Sequence, residues 1–390
     1  MERSHIARTR IFSFAVPACM DGMIGLVQTA LPLLAIRFGA TPWFLGMLGW
    51  TAQGVRLPCT IGAGVLSERI GRTRVIIPAA GMGILACVGF ALARNNLQLL
   101  VLYILMASSM GAFYPALQAL IGDHSPKGEL RKNLSAFNVG WTVGGSLCAL
   151  SAGYLLAARR SLPFALGAVL VLIVILLVLL WSRVPVIRRT DPTQEAASTS
   201  DNGPGPLLLI ARIGHFLGFF GYAMVRLQFP KLGTDMGMTE GTIGLLVGTM
   251  LVGQAVGILI SSAGPWWRGK LWPQILAQGM ALVSGLIVFA AGSPFLFALA
   301  FLVQGSALGI AYTGALYYGL QARTNMGRNT GIHEMLVASG NITGSLAGGA
   351  VAQFISLRAP YLVFAGLSVL AVATSLTYWR LTARTNHRAT

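Results

Sequence analysis

Acidic side chains are scarce in this chain: 11 Asp and Glu among 390 residues, with all charged types together at 10%. A soluble globular domain carries about 25% charged residues, so the polar coat of an ordinary water-soluble enzyme is missing. A hydrophobic content of 55% equally excludes a disordered chain. Cysteine is sparse too. Cys19, Cys59, Cys87 and Cys148 all fall inside apolar stretches, without CxxC or metal-ligand spacing. They read as small packing residues rather than a disulfide framework or a metal centre. No P-loop or other nucleotide signature occurs, so nothing points to ATP-driven work, and no cofactor is implied.

What the chain has in abundance is long apolar runs. A spanning helix needs roughly 20 mostly apolar residues. Twelve stretches qualify: about 11–35, 43–66, 75–93, 97–121, 134–157, 162–182, 207–230, 241–263, 273–292, 294–320, 332–356 and 360–379. The first is too long for a signal-peptide core, contains Asp21 and is followed by no convincing cleavage site, so it reads as a retained helix. The expectation is an all-α integral membrane protein with twelve transmembrane helices.

The 28 Lys and Arg give a formal net charge of +17, which on a soluble domain would suggest nucleic acid. Their distribution says otherwise. With the N-terminus in the cytoplasm, nineteen lie on the inner side, six on the outer side and three within spans. That asymmetry is the positive-inside rule, and it predicts cytoplasmic termini. The partner is a lipid bilayer, a bacterial plasma (inner) membrane, and not nucleic acid.

Residues 183–206, RVPVIRRTDPTQEAASTSDNGPGP, form the longest strongly polar stretch and read as a cytoplasmic linker. It divides the spans six and six, predicting pseudo-symmetric six-helix bundles at 1–182 and 207–390. An offset of 198 pairs Pro32 with Pro230, Gly46 with Gly244, Thr51 with Thr249, Gly111 with Gly309 and Tyr114 with Tyr312. With two more residues inserted, Gly140 meets Gly340 and Gly144 meets Gly344. A duplicated six-helix unit places a solute cavity between its copies, near the bilayer midplane.

Between the second and third runs the chain reads Gly64-Val-Leu-Ser-Glu68-Arg69-Ile-Gly71-Arg72-Thr-Arg74. This closely resembles the loop signature of the major facilitator superfamily, G-x-L-x-D-R-x-G-R-(K/R), with Glu68 in place of the usual Asp. The resemblance implies that fold, and a conformational latch built from Gly64, Glu68, Arg69, Gly71 and Arg72. Gly64 and Gly71 would permit close helix approach and a tight turn, and Glu68 would pair with an Arg or a helix N-terminus in one conformation. The second-half equivalent, Gly264-Pro-Trp-Trp-Arg268-Gly269-Lys270, lacks the acid. In the fifth run, Gly140-Trp-Thr-Val-Gly144-Gly145-Ser-Leu-Cys148-Ala149 resembles a degenerate exporter motif of the same family. Small residues at that spacing also suit helix packing alone, and both readings stay open. Where the family's proton-coupling pattern places an Arg four residues before Gly111, this chain has Ala107.

Charges inside a span are functional candidates by default. Asp21 lies about ten residues into the first run, roughly 15 Å deep at 1.5 Å per residue, and Arg56 about halfway along the second. They are expected to face each other or a cavity, as a functional pair or a structural one. The repeat partner of Arg56 is Gln254 and that of Gln28 is Arg226. Asp21, Glu334 and His215 are the proton-coupling candidates, with His333 beside Glu334; Arg212 reads as a snorkelling side chain. Family resemblance sets helices one, four, seven and ten around the cavity. That makes Gln28, Tyr114, Tyr222, Gln304 and Tyr312 lining candidates, with Trp50, Asn138 and Trp141 from adjoining helices. Aromatic rings with a few amides suit an amphipathic or ring-bearing solute.

The expected function is secondary transport of a small organic solute by alternating access, driven by a proton or other ion gradient, leaning to export, in a protein working as a monomer. The alternative within transport is uptake or exchange of an organic anion. A transport-inactive receptor or scaffold is the competitor from another class. An intramembrane enzyme would need paired carboxylates or a His-rich metal set, and the sequence has neither.

Overall fold

The computed structural model describes residues 2–126, 128–182, 184, 205–321 and 326–388. Twelve α-helices, with no strand, account for nearly all of these described residues: α1 (Glu2–Arg37), α2 (Pro42–Ile70), α3 (Arg72–Leu92), α4 (Asn96–His124), α5 (Leu130–Ala158), α6 (Leu162–Trp181), α7 (Pro206–Asp235), α8 (Glu240–Ser262), α9 (Trp272–Ala290), α10 (Pro294–Gln321), α11 (Met326–Phe354) and α12 (Ala359–Arg388). Each apolar run is one helix. Eleven are long and apolar enough to cross a membrane; α2, which carries Gln53, Arg56, Glu68 and Arg69, is not among them. Most of the 183–206 stretch lies outside the described residues, as do Lys127, Arg183, Arg188, Arg189 and Arg323 and the side chains of Arg3, Arg384 and Arg388.

The repeat extends to the turns. Gly39 (φ 77°) follows α1 and Gly237 (φ 76°) follows α7, while Gly71 (φ 100°) and Gly269 (φ 70°) mark the two basic loops. Both pairs are 198 apart, and left-handed φ is the conformation a Cβ penalises. At the start of α4 the Asn95 side chain accepts from the Gln98 N–H, a helix cap.

The helices gather into two compact units. The first takes described residues within 1–40, 51–198 and 239–245; the second takes those within 41–50, 199–238 and 246–390. The first turns of α2 and α8 are thus exchanged. In the first unit α1 packs on α5 and α6, and α3 on α4 and α6; in the second α7 packs on α11 and α12, and α9 on α10 and α12. Large apolar side chains stay exposed along the outer faces, Leu85 and Leu92 on α3, Leu172, Leu176 and Leu180 on α6, and Leu259 on α8. Contiguous apolar surface of that kind requires lipid rather than water.

Glycines set the closest seams. A Cβ on Gly140 or Gly144 of α5 would land on the carbonyl oxygens of Phe14 and Ala18 of α1. On α11, Gly340 and Gly344 meet Phe216 and Phe220 of α7 in the same way. Without side chains the backbones approach to where dispersion contact is strongest. The span-five motif is therefore a packing surface for α1, whatever else it does. Phe14 and Phe216 are 202 apart, however, whereas Pro32 and Pro230 are 198 apart. One seam is slid by about one helical turn relative to the other.

Candidate functional site

In the first unit three helices bring together a carboxylate, a phenol and a guanidinium. Gly111 of α4 makes this possible: a Cβ there would sit 2.7 Å from the Arg56 carbonyl oxygen of α2 and 2.7 Å from Cys59 Cβ. One turn further along α4, Tyr114 reaches α1, and its hydroxyl donates to Asp21 Oδ2 at 2.6 Å. The Arg56 guanidinium carbon lies 5.9 Å from the centre of the same ring, and Phe137 of α5 meets it edge-on at 6.4 Å. Among the described residues no ion pair joins Asp21 to Arg56. Asp21 and Arg56 are nonetheless within electrostatic reach of each other, and both neighbour Tyr114, which Gly111 brings to that depth by letting α4 approach α2. A neutral donor on an ionised carboxylate is worth about 1.5–3 kcal/mol net. Asn138 and Trp141, one turn apart on α5, bond to each other (Nε1 to Oδ1, 3.2 Å). Trp50 is 45% exposed.

The second unit repeats the scaffold with other chemistry. A Cβ on Gly309 of α10 would fall on the Gln254 carbonyl oxygen of α8, as Gly111 meets Arg56. Tyr312, the counterpart of Tyr114, lies against two histidines. His215 of α7 and His333 of α11 stack with ring centres 4.2 Å apart and planes 21° apart. Tyr312 is 5.6 Å from the first and 5.0 Å from the second. Arg212 Nη2 donates to Asn329 Oδ1 at 2.8 Å, linking α7 to α11 rather than reaching for the bilayer surface alone. Arg226 is buried with its guanidinium 5.3 Å from the Tyr222 ring. Gln304 is fully buried, and its Nε2 donates to Gly218 O of α7 at 3.4 Å. Glu334 is exposed.

At the basic loop between α2 and α3, Gly71 supplies the left-handed turn. Arg72 Nη1 donates to Ser67 Oγ at 2.8 Å, and Arg72 Nε lies 3.4 Å from Asp123 Oδ2 of α4. Glu68 and Arg69 are exposed, and Glu68 makes no ion pair among the described residues. The acid that meets the loop here is Asp123, which sequence alone did not single out. A Cβ on Gly64 would meet nothing within 4 Å, so no helix packs closely on it in this conformation. A cleft of about 400 Å³ opens at this loop, lined by Glu68, Arg72, Asp123 and His124 among others. The second-half loop replaces the missing acid with aromatic rings. Arg268 lies 4.8 Å from the Tyr317 ring centre, and the Gly269 N–H donates to the Tyr318 hydroxyl at 3.1 Å.

Another clasp went unanticipated. Arg37, in the last turn of α1, bonds Glu240 of α8 through Nε and Nη2 at 2.5 Å, and Nη2 also donates to Leu156 O of α5 at 3.2 Å. Both helices reach it because Gly153 and Gly244 leave no side chain between α5 and α8. The carboxylate also sits in the first turn of α8, where the helix dipole favours it. Among the described residues no group of three His, Cys, Asp or Glu is placed to hold a metal ion.

Comparison with known proteins bears on both sequence and fold. The family model described as Major Facilitator Superfamily matches residues 13–212 and 211–390. A gallate transporter of Pseudomonas putida is 25% identical over 363 residues, covering 80% of this chain and 78% of that protein. A cis,cis-muconate transport protein of Acinetobacter baylyi is 31% identical over 149 residues, 37% of this chain and 36% of that one. Among solved structures, a bacterial homologue of the human lysosomal transporter Spinster superposes with TM-score 0.73 at 16% identity, covering 97% of both chains. The POT family transporter PepTSo does so with TM-score 0.73 at 15% identity, covering 96% of this chain and 98% of that one. These two likenesses establish the fold alone.

Proposed function

We propose that this chain, which belongs to the Major Facilitator Superfamily and is a membrane transporter rather than an enzyme, carries a small unsaturated or aromatic carboxylate together with protons. The observation that carries the reading is the Asp21–Tyr114–Arg56 cluster, one carboxylate and one guanidinium that both neighbour the same phenol. While Asp21 is ionised it offsets the charge of Arg56. A proton on Asp21 removes that compensation and leaves Arg56 and the phenol for a solute carboxylate. By linkage, the bound carboxylate then favours the proton by the same factor. The named solutes of the two related transporters, gallate and cis,cis-muconate, fit a site with one cation and aromatic walls.

The halves at 1–182 and 207–390 would rock about a central site, to which Gln28, Asn138, Trp141, Tyr222, Arg226, Gln254, Gln304 and Tyr312 contribute in some state of the cycle. The loop of Glu68, Arg69, Gly71 and Arg72 would act as the latch on the cytoplasmic side, where both termini lie, in a bacterial inner membrane. Uptake is the favoured direction, because the span-five glycines are accounted for by their seam with α1. Export against protons is the second reading, supported by the likeness of Gly140–Ala149 to an exporter motif.

The test is flux into proteoliposomes with the exterior made acidic, using labelled gallate, cis,cis-muconate and the uncharged ester methyl gallate. Accumulation of the two acids, collapsed by a protonophore, is expected. Arg56→Ala should abolish it, while Asp21→Asn should lose gradient-driven accumulation yet retain exchange of solute for solute. Equal transport of the ester, or accumulation indifferent to the gradient, would overturn the proposal; solute expelled as protons enter would select export.

A further inference from the structure

The stacked histidines of the second unit have no part in the Asp21 cluster, and their geometry is unusual for packing residues. His215 is 0% and His333 5% exposed. Among the described residues none of their four ring nitrogens makes a hydrogen bond of ordinary geometry; the one polar approach is a weak one between the His215 ring and the His333 backbone. A buried imidazole kept only to fill space is a poor choice, since each bare nitrogen forfeits the hydrogen bond it had in water. Two of them, face to face from different helices, point to a use for the nitrogens.

The surroundings contain few competing charges. On α10 the facing group is the Tyr312 ring, and on α7 the neighbouring ring is Phe219, edge-on to His215 at 5.1 Å. Arg212, one turn from His215 on α7, is within electrostatic reach of His333. Asn329 fixes its guanidinium without neutralising it, and Arg328 of α11 lies within reach of Arg212, so these two cations are the charges that a proton on the pair must tolerate. On α11 the adjacent Glu334 lies within electrostatic reach of Tyr312. The α9 segment has no titratable residue. On α12, Tyr361 packs by Gly285 of α9, and neither it nor Tyr378 is among the ring neighbours of the histidines.

We propose that His215 and His333 form a single proton-binding site of the second unit, which accepts one proton on a nitrogen of either ring and excludes a second. A neutral pair carries two N–H groups on four nitrogens; the site adds a third. The cationic ring then lies against the π face of its neutral partner, an arrangement that favours one charge. Two unit charges 4.2 Å apart, at an effective dielectric constant of about 20, would weaken binding of the second proton on the order of a thousandfold. The charged pair offers N–H donors beside the Tyr312 ring, the chemistry that receives a carboxylate or a water. The site stands on α7, α10 and α11 alone and does not depend on the role proposed for Asp21.

The test counts protons. Purified protein in lipid nanodiscs, in an Asp21→Asn background, is titrated between about pH 9 and about pH 4, and proton uptake is compared with that of His215→Gln, His333→Gln and the double variant. Each single variant should bind as many protons as its parent, and the double variant one fewer. A double variant that loses two protons would make the histidines independent. Loss of none would make them inert packing, and a single variant already one short would assign the proton to one ring. Each of these outcomes overturns the proposal. Protein with unaltered histidines, labelled with 15N at those residues, gives a second reading, taken on the intact pair. The four ring nitrogens of the pair, assigned among the five histidines by comparison with the two single variants, should carry three protons at the acid end, and two or four would refute the shared site.

Discussion

Replacing Gly144 with alanine should destabilise the protein, although alanine is the better helix former by about 1 kcal/mol. At this position the added methyl falls on the Ala18 carbonyl oxygen, part of a rigid helix backbone that has no rotamer to yield. The seam between α1 and α5 must open. A gap of about 0.5–1 Å forfeits a quarter to a half of each dispersion contact of about 0.1–0.2 kcal/mol, and over on the order of 40 atom pairs the loss is roughly 2–3 kcal/mol. Set against the gain in propensity, the net cost is about 1–2 kcal/mol. Gly54→Ala and Gly81→Ala are the controls, since a Cβ at either meets nothing within 4 Å; both should be neutral or slightly stabilising. The assay is thermal unfolding of detergent-purified protein followed by size-exclusion chromatography of a fluorescent fusion. Gly144→Ala should melt about 1–3 °C below wild type, with the controls at or above it. A Gly144→Ala variant as stable as the controls would refute the close seam.

Two further outcomes concern charges at the helix ends. Glu129, just before α5, accepts from Lys132 Nζ at 2.7 Å and also pairs with Arg10. The Lys132 hydrogen bond, helped by the two positive charges, holds its carboxyl below the ordinary value of 4.5. A lowered folded value means that this contribution is complete above about pH 4.5 and fades as the pH falls through the lower one. Glu129→Gln should therefore be less stable than wild type at neutral pH and match it in strong acid, as read from unfolding midpoints across pH. For the Arg37–Glu240 clasp, whose side chains are 36% and 21% exposed, a double-mutant cycle with Arg37→Ala and Glu240→Gln should give a coupling of about 0.5–1 kcal/mol. It should shrink in high salt; a coupling of zero in low salt would remove the clasp from the account of α1 and α8.

The repeat shows what could be read in advance and why. Tyr114 and Tyr312 were paired by counting, as were Gly111 and Gly309, and the structure gives each glycine the same task, admitting a carbonyl from the neighbouring helix. The turn glycines Gly39 and Gly237 follow the same offset and could have been found by it. Counting could not foresee that one tyrosine would bond a carboxylate and the other would flank two histidines, because Asp21 and His215 lie at different heights of equivalent helices. Nor could it foresee Asp123 beside Arg72 or Glu240 beside Arg37, partners separated by 51 and 203 residues.

Sequence alone determined that the chain is a membrane protein, how many helices it has and which loops carry positive charge, since hydropathy and charge act along the chain and need no fold to be counted. The scarcity of acids also made each one inside a span conspicuous. Tertiary structure decided which of those rare charges meet. Contacts between side chains depend on helix rotation, on sliding by a turn and on where glycine lets two backbones close. Asp21 thereby meets the Tyr114 hydroxyl, with Arg56 beside the same ring. His215, one residue among many on α7, finds its partner on α11 for the same reason.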